Sequence, residues 1–108
     1  MKEWPREITP SSFDAEVLAC PKPVVVAFLK AGVASGDILI AVFRRFASET
    51  KADLIFFRAD VERCTEIAHR YRIRKFPMTL VFVKGKVAAH FFGVASTQKI
   101  RRLLEGLY

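Results

Sequence analysis

The chain has 108 residues, of which 52% are hydrophobic and 27% are charged, and its formal net charge is +7. This length and apolar content predict one folded domain, 1–108, and exclude a disordered chain. No apolar run approaches the ~20 residues of a membrane-spanning helix. The first residues, MKEWPREITP, are charged and contain prolines, which predicts no signal peptide and therefore a cytoplasmic protein without a membrane partner.

Helical and strand patterns alternate in the first half of the chain. A short strand around Arg6–Ile8 precedes a helix that apolar spacing predicts over Ser11–Ala19. Val24–Leu29 is apolar at every position, which is typical of a strand covered on both faces. A helix then follows from Ser35 to about Lys51, and Leu54–Asp60 is predicted to be a second buried strand.

The second half closes the predicted fold. Residues 61–71 repeat apolar side chains at helical spacing. Residues 78–83 and 87–92 flank a tight Lys-Gly-Lys turn, which predicts two antiparallel strands, and a last helix begins at residue 96 or 97. Parallel strands joined through helices and followed by a hairpin predict an α/β fold, with a central mixed sheet and helices on both faces.

The two cysteines, Cys20 and Cys64, are far apart and form neither a Cys-x-x-Cys motif nor a Cys/His cluster. The sequence therefore predicts no disulfide framework, no metal site and no cofactor. Each cysteine is interpreted as small apolar filler. The alternative for Cys64 is a reactive thiol at the start of the third helix, where Arg63 would lower its pKa and Glu62 and Glu66 would raise it.

Two segments carry a resemblance to a known family. RYRIRKFPMTLVFVKGKV and FFGVAS, in this order of elements, resemble the thioredoxin family over nearly the whole chain. The resemblance implies the thioredoxin fold, with Pro77 as the family's cis-proline between Phe76 and Met78. It also implies that Gly93 is the family's glycine at the end of the hairpin.

The same register places the segment Gly-Val-Ala-Ser-Gly, residues 32–36, on the family's Trp-Cys-Gly-Pro-Cys motif. Val33 and Gly36 therefore replace both active-site cysteines. Other positions of the family's site also differ: its buried aspartate falls on Ala27, the associated lysine on Arg58, the helix proline on Ala41, and the lysine after the second cysteine on Asp37. Because dithiol exchange needs a thiolate held at a helix N-terminus, we expect a chain that is not a redox enzyme.

The resemblance still implies a binding groove, because in the family the backbone beside the proline pairs with an extended peptide. The predicted binding residues are Val33, Ala34, Ser35, Phe76, Pro77, Met78 and Gly93, and a basic rim is predicted at Arg72, Arg74 and Lys75. The expected partner is another protein or an extended peptide, and the rim would favour an acidic one. For the proline and the basic residues, a purely structural role is the alternative.

Three further hypotheses stay open. An exposed apolar patch at Val33, Phe76 and Met78 would support a homodimer through this face. A thiol–disulfide oxidoreductase or redox regulator would work through Cys64 or through a cysteine of a partner. A basic protein that binds nucleic acid or another polyanion would depend on charge alone, and we do not expect nucleic acid because the phenylalanines occupy core positions.

Overall fold

The chain folds into a five-stranded mixed sheet with helices on both faces, which confirms the predicted fold class. The computed structural model describes residues 5–107, so residues 1–4 and 108, at the two ends of the predicted domain, lie outside the described residues. The strands are β1 Arg6–Glu7, β2 Val24–Leu29, β3 Ile55–Asp60, β4 Met78–Val83 and β5 Lys86–Phe92. The helices are α1 Ser35–Glu49, α2 Thr65–Arg70 and α3 Thr97–Leu104, and Asp14–Leu18 forms a π-helical turn.

The order of strands across the sheet is β1-β3-β2-β4-β5. β1, β3 and β2 are parallel, whereas β4 runs antiparallel to β2, and β5 runs antiparallel to β4. Successive residues of β2 point to opposite faces, so Val26 and Phe28 enter one half of the core and Val25 and Ala27 the other. Because β4 runs antiparallel to β2 and β3, the start of β4 lies at the same end of the sheet as the last residues of β2 and β3.

Helices α1 and α3 cover one face of the sheet. Apolar residues at helical spacing on α1, among them Leu39, Phe43 and Phe46, have no exposed surface. The Phe43 ring lies 5.6 Å from the centre of the Phe56 ring on β3 and 6.4 Å from that of Phe91 on β5. These aromatic contacts hold α1 across the sheet and so fix where its first turn lies.

The π-helical turn and α2 cover the other face. The predicted helix over Ser11–Ala19 is wrong in extent and type, because only Asp14–Leu18 is helical and the Ala19 N–H donates to the Asp14 carbonyl at 3.0 Å. Residues 9–12 instead form a turn in which the Thr9 N–H donates to the Ser12 hydroxyl at 3.0 Å. The wide turn keeps Phe13 and Val17 buried together in the core.

The β4–β5 hairpin turns at Lys84 and Gly85, whose φ angles of 53° and 80° are both positive. Such a turn matches the twist of the two strands and favours glycine. A Cβ on Gly85 would lie 2.8 Å from the backbone oxygen of Leu18, so the turn also packs closely on the π-helical turn. The glycine is therefore needed for its conformation and for the lack of a side chain.

Candidate functional site

The candidate site lies where the loop after β2 meets the loop before β4. The two loops are neighbours because Phe28, near the end of β2, pairs with Met78, the first residue of β4. A contact between side chains joins them, since the Lys30 ammonium stands 5.8 Å from the centre of the Phe76 ring. The structure thus brings the predicted proline segment beside the start of α1.

The segment Phe76–Met78 is held from two sides. The Phe76–Pro77 peptide bond is cis, and the Gly93 N–H donates to the Pro77 carbonyl at 2.9 Å. Met78 pairs with Phe92 across the hairpin. Within residues 5–107, the backbone N–H and carbonyl of Phe76 make no hydrogen bond to the rest of the chain. Pro77 itself is buried, and we call the surface that Phe76, Met78, Phe92 and Gly93 form around it the Pro77 groove.

The apolar residues here are more buried than the sequence suggests. Val33, Phe76 and Met78 are all half-buried, so these three residues do not form the expected exposed patch. Phe76 and Met78 pack against the core on the α2 face of the sheet. The exposed apolar side chain of the groove is Phe92, with 56% of its surface accessible. Phe92 could have been found from the alternation of β5, because its neighbour Phe91 is buried and successive residues face opposite ways.

Residues 32–36 form tight turns that lead into α1. The Val33 N–H donates to the Lys30 carbonyl at 3.2 Å, and the Gly36 N–H to the Val33 carbonyl at 3.1 Å. Gly36 is buried, and a Cβ built on it would meet only the Leu29 side chain, at 3.4 Å. Neither its backbone conformation nor its contacts require a glycine, so a Cβ can be added at this position.

The loop also borders a cleft of about 450 Å³ on its β1–β3 side. Val33 and Ala34 line this cleft, whereas Phe76 and Met78 do not. The predicted binding residues therefore lie on two different surfaces. Ser35 is half-buried as the first residue of α1. The residues that line the cleft are Glu7, residues 29–34, Gly36, Asp37, Arg58 and Asp60.

A row of paired residues crosses the sheet beneath the first turn of α1. Ala27 pairs with Arg58 of β3 on one side and with Thr79 of β4 on the other. Ala27 has no exposed surface, so a methyl group occupies the position where the resemblance places a carboxylate. Thr79 is fully buried, and its hydroxyl has no hydrogen-bond partner within the described chain. The row offers no proton-transferring group at the Ala27 position.

The basic residues of the rim occupy different positions. Arg72 lies just after the end of α2, with a φ of 55°, a left-handed conformation in which glycine is more common. The Ile73 N–H donates to the Ala68 carbonyl at 2.9 Å. Arg72 and Arg74 are exposed. The Lys75 ammonium lies over the Phe92 ring, 5.7 Å from its centre. Together with Lys30, which sequence reasoning missed, Lys75 gives the groove a cation on each side.

Cys64 immediately precedes α2 and has only 1% of its surface exposed. Its thiol donates to the Ile8 carbonyl, with Sγ 3.7 Å from the oxygen. Burial raises the pKa of the Cys64 thiol above its ordinary value, while Arg63 lowers it by a smaller amount. Asp60 and Glu7 raise the pKa further.

The carboxylates that act on Cys64 are therefore not those expected from the sequence. Glu62 and Glu66 are its near neighbours along the chain, but the groups that raise its pKa come from the end of β3 and from β1. Cys20 is half-buried before the start of β2, at the opposite end of the sheet, and both cysteines are free thiols.

We expect alkylation by iodoacetamide at neutral pH to modify Cys20 well before Cys64, because the reactive species is the thiolate and Cys64 is buried and protonated. Peptide mass spectrometry after short labelling times gives the order. A Cys64 that is labelled first in the native protein would contradict the structure.

The same thiol makes stability depend on pH. The folded protein binds the Cys64 proton more tightly than the unfolded chain does, so the stabilisation is complete below the unfolded pKa of ~8.5 and is lost as pH rises above it. Urea unfolding of the wild type and of Cys64→Ala should show this loss only in the wild type. Equal slopes of unfolding free energy against alkaline pH would refute it.

Neither a membrane span nor a metal cluster is found in the described part of the chain. None of the helices within residues 5–107 is long and apolar enough to cross a membrane. Likewise, no group of three or more His, Cys, Asp and Glu side chains among these residues could hold a metal ion.

The strand order, the helices on both faces and the proline loop beside the start of α1 define a thioredoxin-type α/β domain. The Thioredoxin family model matches residues 5–106, and the chain belongs to the thioredoxin family. It is similar to Thioredoxin C-2 of Corynebacterium nephridii, with 29% identity over 90% of each chain. It is 31% identical to a thioredoxin of Mycoplasmoides gallisepticum, over 83% of this chain and 89% of that one.

Membership associates the chain, at the level of the family, with thiol–disulfide redox function. A bifunctional thioredoxin reductase/thioredoxin of Mycobacterium leprae is also similar, with 27% identity over 89% of this chain and 21% of the relative.

Proposed function

We propose that this member of the thioredoxin family binds extended segments of other proteins at the Pro77 groove and does not itself catalyse thiol–disulfide exchange. The observation that carries the proposal is the unpaired backbone of Phe76 within the described residues, beside half-buried apolar side chains. An exposed N–H and carbonyl of this kind can accept one more extended strand, with side-chain contacts supplying specificity.

The chemistry of the chain argues against catalysis. Exchange needs a thiolate nucleophile that is accessible to a substrate disulfide. The position at the start of α1 carries Val33 and Gly36, and the two cysteines of the chain lie elsewhere. Cys64 is buried with a raised pKa, and Cys20 lies at the far end of the sheet. The groove thus keeps its means of binding without a group that reacts.

The charges of the groove favour an acidic partner. The Lys30 ammonium lies over the ring of the half-buried Phe76, and the Lys75 ammonium lies over the ring of the exposed Phe92. The formal net charge of +7 adds a long-range attraction for acidic segments. A segment that alternates apolar and acidic residues would place carboxylates against these cations and apolar side chains against Met78 and Phe92.

A direct test measures the binding of a fluorescein-labelled extended peptide with alternating leucine and glutamate to the purified chain by anisotropy. We expect Lys75→Glu to weaken binding by at least about tenfold, because repulsion replaces attraction beside Phe92. Arg44→Glu is the matched control: it changes the net charge equally on the exposed surface of α1, so binding should fall much less.

Met78→Asp tests the apolar half of the groove and should abolish both peptide binding and the capture of partners from native cell extract. Its circular dichroism spectrum and unfolding midpoint would show whether the variant is folded. Equal binding of a lysine-containing version of the peptide, or equal losses in Lys75→Glu and Arg44→Glu, would contradict the proposed groove.

The other functions have less support. A redox regulator that works through Cys64 requires an accessible thiol, whereas the structure buries it. Binding of nucleic acid or another polyanion relies on net charge, and within residues 5–107 Phe92 is the single exposed phenylalanine, which provides no series of rings for stacking. Association of two copies through the groove is an outcome that light scattering would detect during the peptide measurements.

A further inference from the structure

The cleft beside the start of α1 is separate from the Pro77 groove and has the size of a site for a small molecule. Its volume is about 450 Å³, within the range of roughly 300–1,000 Å³ that is usual for ligand pockets. It lies between the loop after β2 and the ends of β1 and β3, and no residue of the Pro77 groove lines it.

Arg58 is the cation of the cleft that lacks a partner among residues 5–107. Its side chain is half-buried in the row between Glu7 of β1 and Ala27 of β2. Within residues 5–107 its guanidinium makes no ion pair and no hydrogen bond. Since partly buried charges are normally paired, this guanidinium is available to an anion, and its planar geometry suits a carboxylate.

Of the three acidic residues that line the cleft, two interact with other groups of the chain and the third is exposed. Glu7 is paired with Arg63, with Oε2 2.9 Å from Nη1. Asp60 accepts the Glu62 N–H at 2.9 Å, and Asp37 lies exposed in the first turn of α1, where the helix dipole stabilises it. These carboxylates leave Arg58 free but repel a ligand of high negative charge, so a monoanion fits better than a phosphate.

The wall that the loop forms is largely apolar, and its one charged residue, Lys30, lies over the Phe76 ring. Leu29, Ala31, Val33 and Ala34 line the side formed by the loop, and Gly36 contributes no side chain. An apolar body could lie against this wall while its charged end meets Arg58. Any ligand therefore needs one negative charge at one end and an uncharged, water-avoiding remainder.

We propose that this Arg58 cleft binds a small organic monocarboxylate with an apolar body. The guanidinium holds the carboxylate, and the loop of residues 29–34 covers the apolar part. Lys30 lies beside both sites, but Arg58 lines only this cleft and Lys75 borders only the Pro77 groove, so the two sites are separable by mutation at these residues.

The test is a titration of the ¹⁵N-labelled chain with sodium benzoate, followed by ¹H–¹⁵N NMR, with benzamide as the neutral isostere and phenylphosphonate as the dianion. We expect benzoate to shift the amide signals of residues 30–37 and the Nε–Hε signal of Arg58. Arg58→Gln should weaken benzoate binding by at least about tenfold, whereas the exposed Arg44→Gln should leave it unchanged. Benzamide and phenylphosphonate should bind more weakly than benzoate.

A second variant tests the cleft with Arg58 left in place, so the result does not depend on the folding of Arg58→Gln. Ala31→Trp adds a bulky side chain to an exposed position of the wall and should block benzoate while the rest of the spectrum is preserved. Four results would each overturn the proposal: unchanged affinity in Arg58→Gln, equal binding of benzamide, shifts confined to the Pro77 groove, or no shifts at millimolar benzoate.

Discussion

The wild-type chain is expected to reduce insulin no faster than dithiothreitol alone, whereas Val33→Cys/Gly36→Cys should accelerate the reaction by at least about tenfold. The Gly36 N–H donates to the Val33 carbonyl at 3.1 Å, so the two positions lie across one tight turn. A Cβ at position 36 meets only the Leu29 side chain, at 3.4 Å, so the backbone there accepts a residue with a Cβ. The variant would thus present a dithiol at the start of α1, where the helix dipole favours a thiolate at position 33.

The single variants separate the contribution of each thiol. Val33→Cys alone and Gly36→Cys alone should remain near the wild-type rate, because release from a mixed disulfide needs the second cysteine. Ala27 supplies no carboxylate, and Asp37 raises the pKa of a neighbouring thiol, so the double variant should not behave as an optimised enzyme. Turnover by the wild type above the dithiothreitol control would overturn the proposed lack of catalysis.

Phe43→Ala should lower the free energy of unfolding by about 3–5 kcal/mol, a large share of the roughly 5–15 kcal/mol typical of a folded domain. The Phe43 ring has no exposed surface and packs against Phe56 and Phe91. Its removal leaves a cavity between α1 and the sheet. Chemical unfolding followed by circular dichroism measures the loss, and peptide and benzoate binding should weaken as α1 loosens.

The adjacent exposed residue provides the control for this substitution. Arg44→Ala should change the unfolding free energy by no more than about 0.5 kcal/mol. If Phe43→Ala does not fold, Phe43→Leu should still cost more than about 1 kcal/mol, because leucine cannot restore both aromatic contacts. Similar losses in Phe43→Leu and Arg44→Ala would show that α1 is not held through this ring.

Much of the fold was predictable because its signals are local. The unbroken apolar segment of β2, the stripe of α1 and the turn at Gly85 each follow from the side chains of a few consecutive residues. The resemblance then supplied the fold family and the position of Pro77. The π-helical turn was not predictable, because i→i−4 and i→i−5 helices use the same apolar spacing over so short a segment.

The candidate site was only partly predictable. Val33, Phe76 and Met78 were identified by register, but their half-burial depends on the core beneath them. Lys30 and Phe92 are distant in sequence from Phe76 and Lys75, respectively, and only the pairing of β2 with β4 and of β4 with β5 brings them together. Likewise, the groups that raise the pKa of Cys64 include Glu7 of the edge strand β1, which is remote from Cys64 along the chain but lies beside β3 in the sheet.

The sequence by itself determined the class of fold and the absence of cysteine at positions 33 and 36, because apolar periodicity and residue identity are written directly in the chain. Only the tertiary structure decided which cations border the Pro77 groove, that Cys64 is buried, and that Arg58 faces a cleft without a partner among residues 5–107. The physical reason is that burial and electrostatic contact depend on distances in space, and the sheet brings together residues from β1, β3 and the loop after β2 that are remote along the chain.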